Sequence, residues 1–116
     1  MRHRKSKVTL DRRSGPRRLL LRTLTTNVLL RERVRTTVAK AKAVRPLVEK
    51  CITISKQDTL IRRRKLMALL ASPTMVEKLI TVLGPKYRER PGGYTRTVRI
   101  GRRVGDGAEI VMIELV

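Results

Sequence analysis

The sequence predicts an α+β fold, in which several helices pack with a small mixed sheet behind an extended basic N-terminal arm. Apolar residues in the middle of the chain recur at helical spacing, and the last stretch alternates with a period of two. The first residues are basic and almost without apolar periodicity. A chain of 116 residues can form one modest core but not two. We therefore divide it into an arm, residues 1–13, and a single globular domain, residues 14–116.

The first helix is predicted in SGPRRLLLRTLTTNVLLRE. Ser14 is the expected N-cap, and Pro16 falls in the first turn, where its missing N–H costs no hydrogen bond. The apolar stripe that follows consists of Leu20, Leu21, Leu24 and Val28. The next segment, RVRTTV, is β-branched and alternating, which predicts a short strand over residues 34–37.

A second helix is predicted in TVAKAKAVRPLVEKCITISK, with Val38, Ala41, Val48 and Ile52 at helical spacing. Pro46 is expected to kink or split this helix, because it lacks a backbone donor and its ring crowds the preceding turn. Cys51 is expected to be a small core residue.

Two more helices and a hairpin complete the predicted domain. Asp58 is expected to cap a helix with the apolar stripe Leu66, Met67 and Leu70. Ser72 is expected to cap the next helix, with Pro73 in its first turn, and Gly84-Pro85 is expected to stop it. Its apolar stripe is Val76, Leu79, Ile80 and Leu83. The segments YTRTVRI and AEIVMIELV, separated by GRRVGDG, then predict an antiparallel hairpin.

The charge of the chain indicates a polyanionic partner. It contains 29 Lys and Arg against 9 Asp and Glu, a formal net charge of +20. Nucleic acid is the usual partner of such a chain, because cations that neutralise phosphates release bound counterions. Tyr87 and Tyr94 are the only aromatic residues, which argues against a base-stacking platform and favours phosphate contacts and shape. No apolar run has the length of a membrane span, and the basic arm lacks the apolar face of an interfacial helix.

Catalytic and metal-binding patterns are missing from the sequence. His3 and Cys51 are the single histidine and cysteine, so they cannot supply a structural zinc set or a nucleophile with its base inside a fold. The segment GPKYRERPGG does not match a phosphate-binding nucleotide loop. We expect no enzyme, no metal or other cofactor and no small-molecule substrate.

The pair Gly92-Gly93 leaves two interpretations open. Glycines permit positive φ and leave room for another backbone, so the pair is either a tight turn or a place where bare backbone lies against RNA. Arg88, Arg90 and Arg96 flank it. Reversing the charge at Arg96 is expected to weaken assembly with RNA and to leave the fold intact.

Several blocks of the chain resemble one family. MRHRKS, LDRRSGPRR, RVRTTVAKAKAVRP, LGPKYRERPGGYTR and GDGAEIVMIELV are similar, nearly end to end, to the bacterial-type large-subunit ribosomal protein seventeen family. Lys7 stands where the family usually has glycine, and Pro16 where it usually has histidine. The resemblance implies a structural constituent of the large ribosomal subunit, bound to its rRNA near the rim of the exit tunnel.

The resemblance also implies partners and contacts. The partners are large-subunit rRNA and neighbouring ribosomal proteins, with no membrane and no homo-oligomer. The PGGYTR block is then a structured turn that presents Arg90, Tyr94 and Arg96 to rRNA. The full set of expected rRNA-binding residues is Arg2, His3, Arg4, Lys5, Lys7, Arg12, Arg13, Arg17, Arg18, Arg22, Lys40, Lys42, Arg63, Arg88, Arg90, Gly92, Gly93, Tyr94 and Arg96.

The alternative function is that of a small DNA-binding or nucleoid-associated protein, because short basic helices separated by turns can form a helix-turn-helix. Residues 58–84 offer two such helices, but both carry full apolar stripes and are expected to be committed to the core. The expected location is the cytoplasmic ribosome. The lack of a transit-like presequence favours a bacterium or a plastid-encoded gene.

Overall fold

The computed structural model describes residue 10 and residues 12–116. The predicted arm therefore lies almost wholly outside the described residues, together with the expected rRNA contacts Arg2, His3, Arg4, Lys5 and Lys7. The helices are α1 (Ser14–Arg31), α2 (Val38–Ser55), α3 (Leu60–Leu70), α4 (Pro73–Lys78) and α5 (Gly84–Lys86), with a π-helical segment (Leu79–Leu83) that joins α4 to α5. The strands are β1 (Arg33–Thr37), β2 (Thr95–Arg102) and β3 (Glu109–Leu115). The predicted α+β class is confirmed.

The start of α1 differs by one residue from the prediction. Ser14 is the first helical residue, and Arg13, with extended backbone, precedes it without any side-chain capping bond. Pro16 does lie in the first turn. The helix ends because Glu32 adopts left-handed backbone with φ of 67°, and its N–H bonds to the carbonyl of Val28.

Helix α2 continues through Pro46, so of the two effects expected of this proline, a kink or a split, the split does not occur. Proline removes the bond to the carbonyl four residues earlier, that of Lys42. Both side chains lie on the exposed side of α2, where water can replace the lost partner. The opposite side is buried and includes Cys51, which confirms it as a core residue.

The cap of α3 is Thr59, whose hydroxyl accepts a hydrogen bond from the Arg62 N–H, and not Asp58 as expected. The carboxylate of Asp58 instead accepts hydrogen bonds from Arg63. Leu66 and Leu70 are buried as predicted, but Met67 is 40% exposed and does not belong to the apolar stripe.

The start of α4 agrees with the prediction, because the Ser72 hydroxyl accepts from the N–H of Met75. The predicted stripe of Val76, Leu79, Ile80 and Leu83 is buried throughout.

The expected stop at Gly84-Pro85 does not occur, because the backbone widens into π turns and continues to Lys86. The Gly84 N–H bonds to the carbonyl of Leu79, five residues earlier. A β-carbon on Gly84 would lie 2.3 Å from the carbonyl oxygen of Ser55, so glycine allows this helix to approach the end of α2.

The three strands form one sheet in the order β1-β3-β2. Both pairings are antiparallel, so the sheet is antiparallel throughout and not mixed. The predicted hairpin is β2-β3, with a register irregularity between Arg99 and Gly101. Val111 and Ile113 of the central strand are buried, and Ile113 belongs to the same core cluster as the apolar stripes of the helices.

Candidate nucleic-acid interface

The first half of α1 and the residues before it carry a dense group of cations. Arg12, Arg13 and Arg18 are exposed, and Arg17 and Arg22 are half-buried. None of the five forms an ion pair with an acid in the described part of the chain. We call these five residues the α1 arginine cluster. No acid among residues 12–116 pairs with the positive charge of this cluster.

A groove lies beside this cluster, where α1 meets α2 and the end of α3. Its volume is about 300 Å³. The wall is mainly apolar, with Arg18 and Arg22 contributed by α1, and it is completed by Leu21, Thr25, Leu47, Cys51, Ala68, Leu69 and Leu70. We call this the α1–α3 groove. The groove therefore combines an apolar wall with two cations that pair with no carboxylate among residues 12–116.

A second basic site was missed from the sequence. A cleft of about 330 Å³ at the junction of α1 and β1 is lined by Asn27, Arg31, Arg33, Val34 and Arg35. The alternation in RVR was a usable signal, because residues two apart on a strand point to the same face. We call this the junction cleft. Arg33 pairs with Glu114, whereas Arg31 and Arg35 pair with no described acid, and their guanidinium groups suit phosphate oxygens.

Glu114 lies between two arginines on neighbouring strands. Its carboxylate accepts from Arg33 at 3.0 Å and from Arg96 at 2.6 Å, and its side chain is only 8% exposed. Arg96 is therefore part of an internal ion pair. A glutamate at position 96 would place like charges together on adjacent strands, so this contact predicts that charge reversal also destabilises the fold, contrary to the expectation from the sequence.

This pairing predicts a pH dependence of stability. The hydrogen bond from Arg96 lowers the pKa of Glu114 from its ordinary value of 4.5, burial opposes the shift, and the hydrogen bond from Arg33 adds to it. Because the folded-state pKa is depressed, ionised Glu114 stabilises the fold above the ordinary pKa, and this stabilisation is lost as the pH falls below it. At pH 7 Glu114→Gln should melt below the parent protein, and the gap should narrow between about pH 5 and pH 3.

Thermal melts of both proteins across this range measure the gap. Glu89→Gln is the matched control, because Glu89 is exposed and forms no ion pair within the described residues. The control should show no gap at any pH. A gap for Glu114→Gln that stays constant down to pH 3 would attribute the effect to packing and contradict the prediction.

The double-glycine segment is held by contacts to the rest of the fold. Arg90 donates to the carbonyl of Val116 at 3.0 Å, and the ammonium of Lys56 donates to the Arg90 carbonyl. Gly92 and Gly93 have φ of 149° and 63°, which L side chains rarely adopt. Their missing β-carbons would meet nothing within 4 Å. These glycines are therefore required by the backbone conformation of the turn. No other part of the described chain covers the positions that their β-carbons would occupy.

The tyrosine that follows does not point outwards. Tyr94 is 1% exposed, its ring packs edge-on against Tyr87 at 5.2 Å between centroids, and its N–H donates to Glu49. The expectation that its ring is presented to rRNA is wrong, since a buried ring cannot stack on a base. Arg88, by contrast, is exposed and forms no ion pair with the described acids.

The remaining expected contacts are scattered. Arg63 bonds to Asp58 at 2.7 Å and to Glu77 at 3.1 Å, so it ties α3 to α4 and its charge is already matched. Lys40 is half-buried and Lys42 exposed in the first turns of α2, and neither pairs with a described acid. The structure thus separates the candidate cations into matched and unmatched groups, which the sequence did not do.

A membrane-spanning helix and a metal-ligand cluster each set requirements for the described residues. None of their helices is both long and apolar enough to cross a membrane. No three metal-ligating side chains among them come together. Burial raises the pKa of the Cys51 thiol to about 11, so the thiol stays protonated at neutral pH and is a poor nucleophile.

Comparisons with known proteins agree with the motifs quoted above. A family model described as Ribosomal protein L17 matches residues 20–116. Over its whole length the chain is 53% identical to the Large ribosomal subunit protein bL17 of Solibacter usitatus, of which it covers 77%. It is also 46% identical over its whole length to the Large ribosomal subunit protein bL17 of Thermomicrobium roseum, of which it covers 99%.

Proposed function

The chain belongs to the ribosomal protein L17 family, and from this membership we infer that it is a non-enzymatic structural constituent of the large ribosomal subunit. We propose further that it binds rRNA mainly through phosphate contacts and supports assembly of the subunit near the rim of the exit tunnel. Neighbouring ribosomal proteins are its other proposed partners, it acts without forming a homo-oligomer, and its proposed location is the cytoplasmic ribosome.

The α1 arginine cluster is the observation that carries the rRNA-binding proposal. Five cations within eleven positions are unmatched by any described acid, while most described acids are held in internal ion pairs. An unmatched cluster on a chain of net charge +20 repels itself until an anion neutralises it. A phosphate backbone supplies many negative charges at close spacing, which single acidic side chains do not.

The proposed rRNA surface consists of four described parts. They are the α1 arginine cluster, the junction cleft, Lys40 with Lys42, and the turn containing Arg88, Gly92 and Gly93. Arg63, Arg90 and Arg96 have internal partners, so they contribute less to RNA binding than the sequence suggested.

The nucleoid-associated alternative requires an exposed recognition helix. Helices α3 and α4 are close in sequence, but Leu66 and Leu70 of one and Met75 and Val76 of the other are buried. Each helix therefore packs one face on the core, and most of the surface of α3 stays exposed. The family match, and not this packing, favours the ribosomal function over a helix-turn-helix.

Removal of the arm tests the proposal. A chain that begins at Ser14 loses Arg2, Arg4, Lys5, Lys7, Arg12 and Arg13, with few apolar residues. It should keep the circular-dichroism spectrum and the melting midpoint of the full chain, because the arm has little apolar surface to bury. It should nevertheless compete poorly with the full chain for incorporation into large subunits, measured by sedimentation of a mixed assembly.

Sedimentation of the native protein from lysate is the companion measurement. Recovery with ribosomal subunits is expected, whereas recovery with nucleoid or membrane fractions would contradict the proposed function. Loss of cooperative melting in the shortened chain would show that the arm packs on the core, and our division at residue 14 would be wrong.

A further inference from the structure

We propose that the α1–α3 groove binds one unstacked base of the rRNA, whose phosphate is held by Arg18 at the rim. The inference rests on the proposed function and adds a specific subsite to it. Folded RNA offers such ligands, because unpaired bases in loops and bulges can turn outwards and pack against protein side chains or guanidinium planes.

The size of the groove suits one small planar group. A volume of about 300 Å³ lies at the lower end of the range for ligand sites in proteins. The leucines that line it, Leu21, Leu47 and Leu69, come from three different helices. A base inserted there would contact leucines of all three helices, and a phosphate alone cannot use such apolar contact.

The cations of the groove call for a ligand with hydrogen-bond acceptors. Arg22 lines the groove, and its Nε is buried without a hydrogen-bond partner among the described residues. A buried donor without an acceptor is costly, and nearly all such groups in proteins are satisfied. In the proposed complex, this donor bonds to an acceptor on the edge of the base. Exposed Arg18 is then placed for the phosphate of the same nucleotide.

One nucleotide combines the three properties that the groove requires. Its base is flat and apolar on its faces, the edge of the base accepts hydrogen bonds, and its phosphate is anionic. An aliphatic side chain from a neighbouring protein would fill the groove but leave the Arg22 donor and the Arg18 charge without partners. The groove therefore favours a nucleotide over an apolar protein segment.

The direct test uses mononucleotides as probes of the full-length protein. Leucine methyl groups are labelled with ¹³C, and their NMR spectra are recorded during titration with AMP, CMP, GMP and UMP, and separately with inorganic phosphate. At least one nucleotide should give saturable shifts at Leu21, Leu47 and Leu69, and phosphate should give none there. Absence of these shifts with all four nucleotides would overturn the proposal.

Three variants locate the site. Ala68→Phe fills the groove from an exposed position on α3, so the fold should survive and the nucleotide-induced shifts should vanish. Arg22→Gln should weaken mononucleotide binding by about tenfold or more, because it removes a charged hydrogen-bond donor. Arg64→Gln is the matched control, since Arg64 is an exposed cation that lies outside both the groove and the junction cleft and pairs with no described acid. Equal weakening of mononucleotide binding by Arg22→Gln and Arg64→Gln would attribute the effect to net charge and overturn the proposal.

The same variants separate this inference from the proposed function. Binding of Ala68→Phe to rRNA fragments at low salt should remain close to that of the parent, because its phosphate contacts are retained. If rRNA binding is normal but nucleotides leave the leucines unshifted, the groove proposal fails and the rRNA-binding proposal stands. If rRNA is not bound at all, the proposed function fails.

In assembled large subunits, 4-thiouridine-substituted rRNA should crosslink under ultraviolet light to peptides that contain residues 18–22 or 68–70. If these peptides give no RNA crosslink, and a bifunctional protein crosslinker joins them to a neighbouring ribosomal protein, the groove belongs to that protein and the proposal is overturned.

Discussion

The affinity of the protein for large-subunit rRNA fragments should fall by about 10³-fold or more between 50 and 200 mM salt, if six or more phosphates are contacted. The α1 arginine cluster alone supplies five unmatched cations among the described residues, and the junction cleft adds Arg31 and Arg35. Each neutralised phosphate releases counterions, so the logarithm of the binding constant should fall linearly with the logarithm of the salt concentration. Equilibrium titrations at several salt concentrations give this slope.

Matched variants connect the slope to particular arginines. Arg13→Gln and Arg17→Gln should each reduce the slope by about one, because each removes one unmatched cation. Arg103→Gln removes a cation that already pairs with Asp106 and should change the slope least. A nearly flat dependence on salt, with discrimination among RNA sequences retained, would favour base readout and contradict the phosphate-contact proposal.

Leu79→Ala should lower the free energy of unfolding by about 2–5 kcal/mol. Leu79 lies in the π-helical segment with no exposed surface and belongs to the main core cluster. Truncation removes apolar contacts and leaves a cavity, and the helix can relax little because Gly84 lies against the backbone of Ser55. Denaturant unfolding at constant pH and salt measures the change.

Val82→Ala is the control for this substitution, since Val82 belongs to the same π-helical segment but is 52% exposed. It should cost less than about 1 kcal/mol, in keeping with surface changes away from the core. Equal destabilisation by the two substitutions would mean that the buried side of this segment has been assigned incorrectly.

The local periodicity of the sequence was sufficient to predict most of the helices and strands. The apolar stripe from Val76 to Leu83 is buried as expected, and the strand at residues 34–37 lies within β1. The Ser72 cap was also predicted. These features depend on backbone geometry over a few residues, because side chains three or four apart share a helix face and those two apart share a strand face. The net charge likewise followed directly from composition and indicated a polyanion.

Only the tertiary structure decided which cations have an acidic partner and which of the expected helix interruptions occur. Arg96 and Arg33 meet at Glu114, which is 81 residues from Arg33 along the chain. Such pairings depend on the order of strands in the sheet, which no local pattern encodes. Pro46 stays inside α2 because it lies on the exposed side of the helix, where water can bond to the carbonyl that loses its N–H partner.

The core also decided the role of Tyr94 and the course of the helix at Gly84. Tyr94 is buried against Tyr87, although the sequence around it suggested an exposed contact. The helix continues through Gly84 and packs against the end of α2, because a β-carbon at this position would lie only 2.3 Å from the carbonyl oxygen of Ser55 and glycine has none. In both cases packing against a distant residue outweighs the local preference for a turn or an exposed side chain. The physical reason is that burial and close backbone approach act only after the elements have come together.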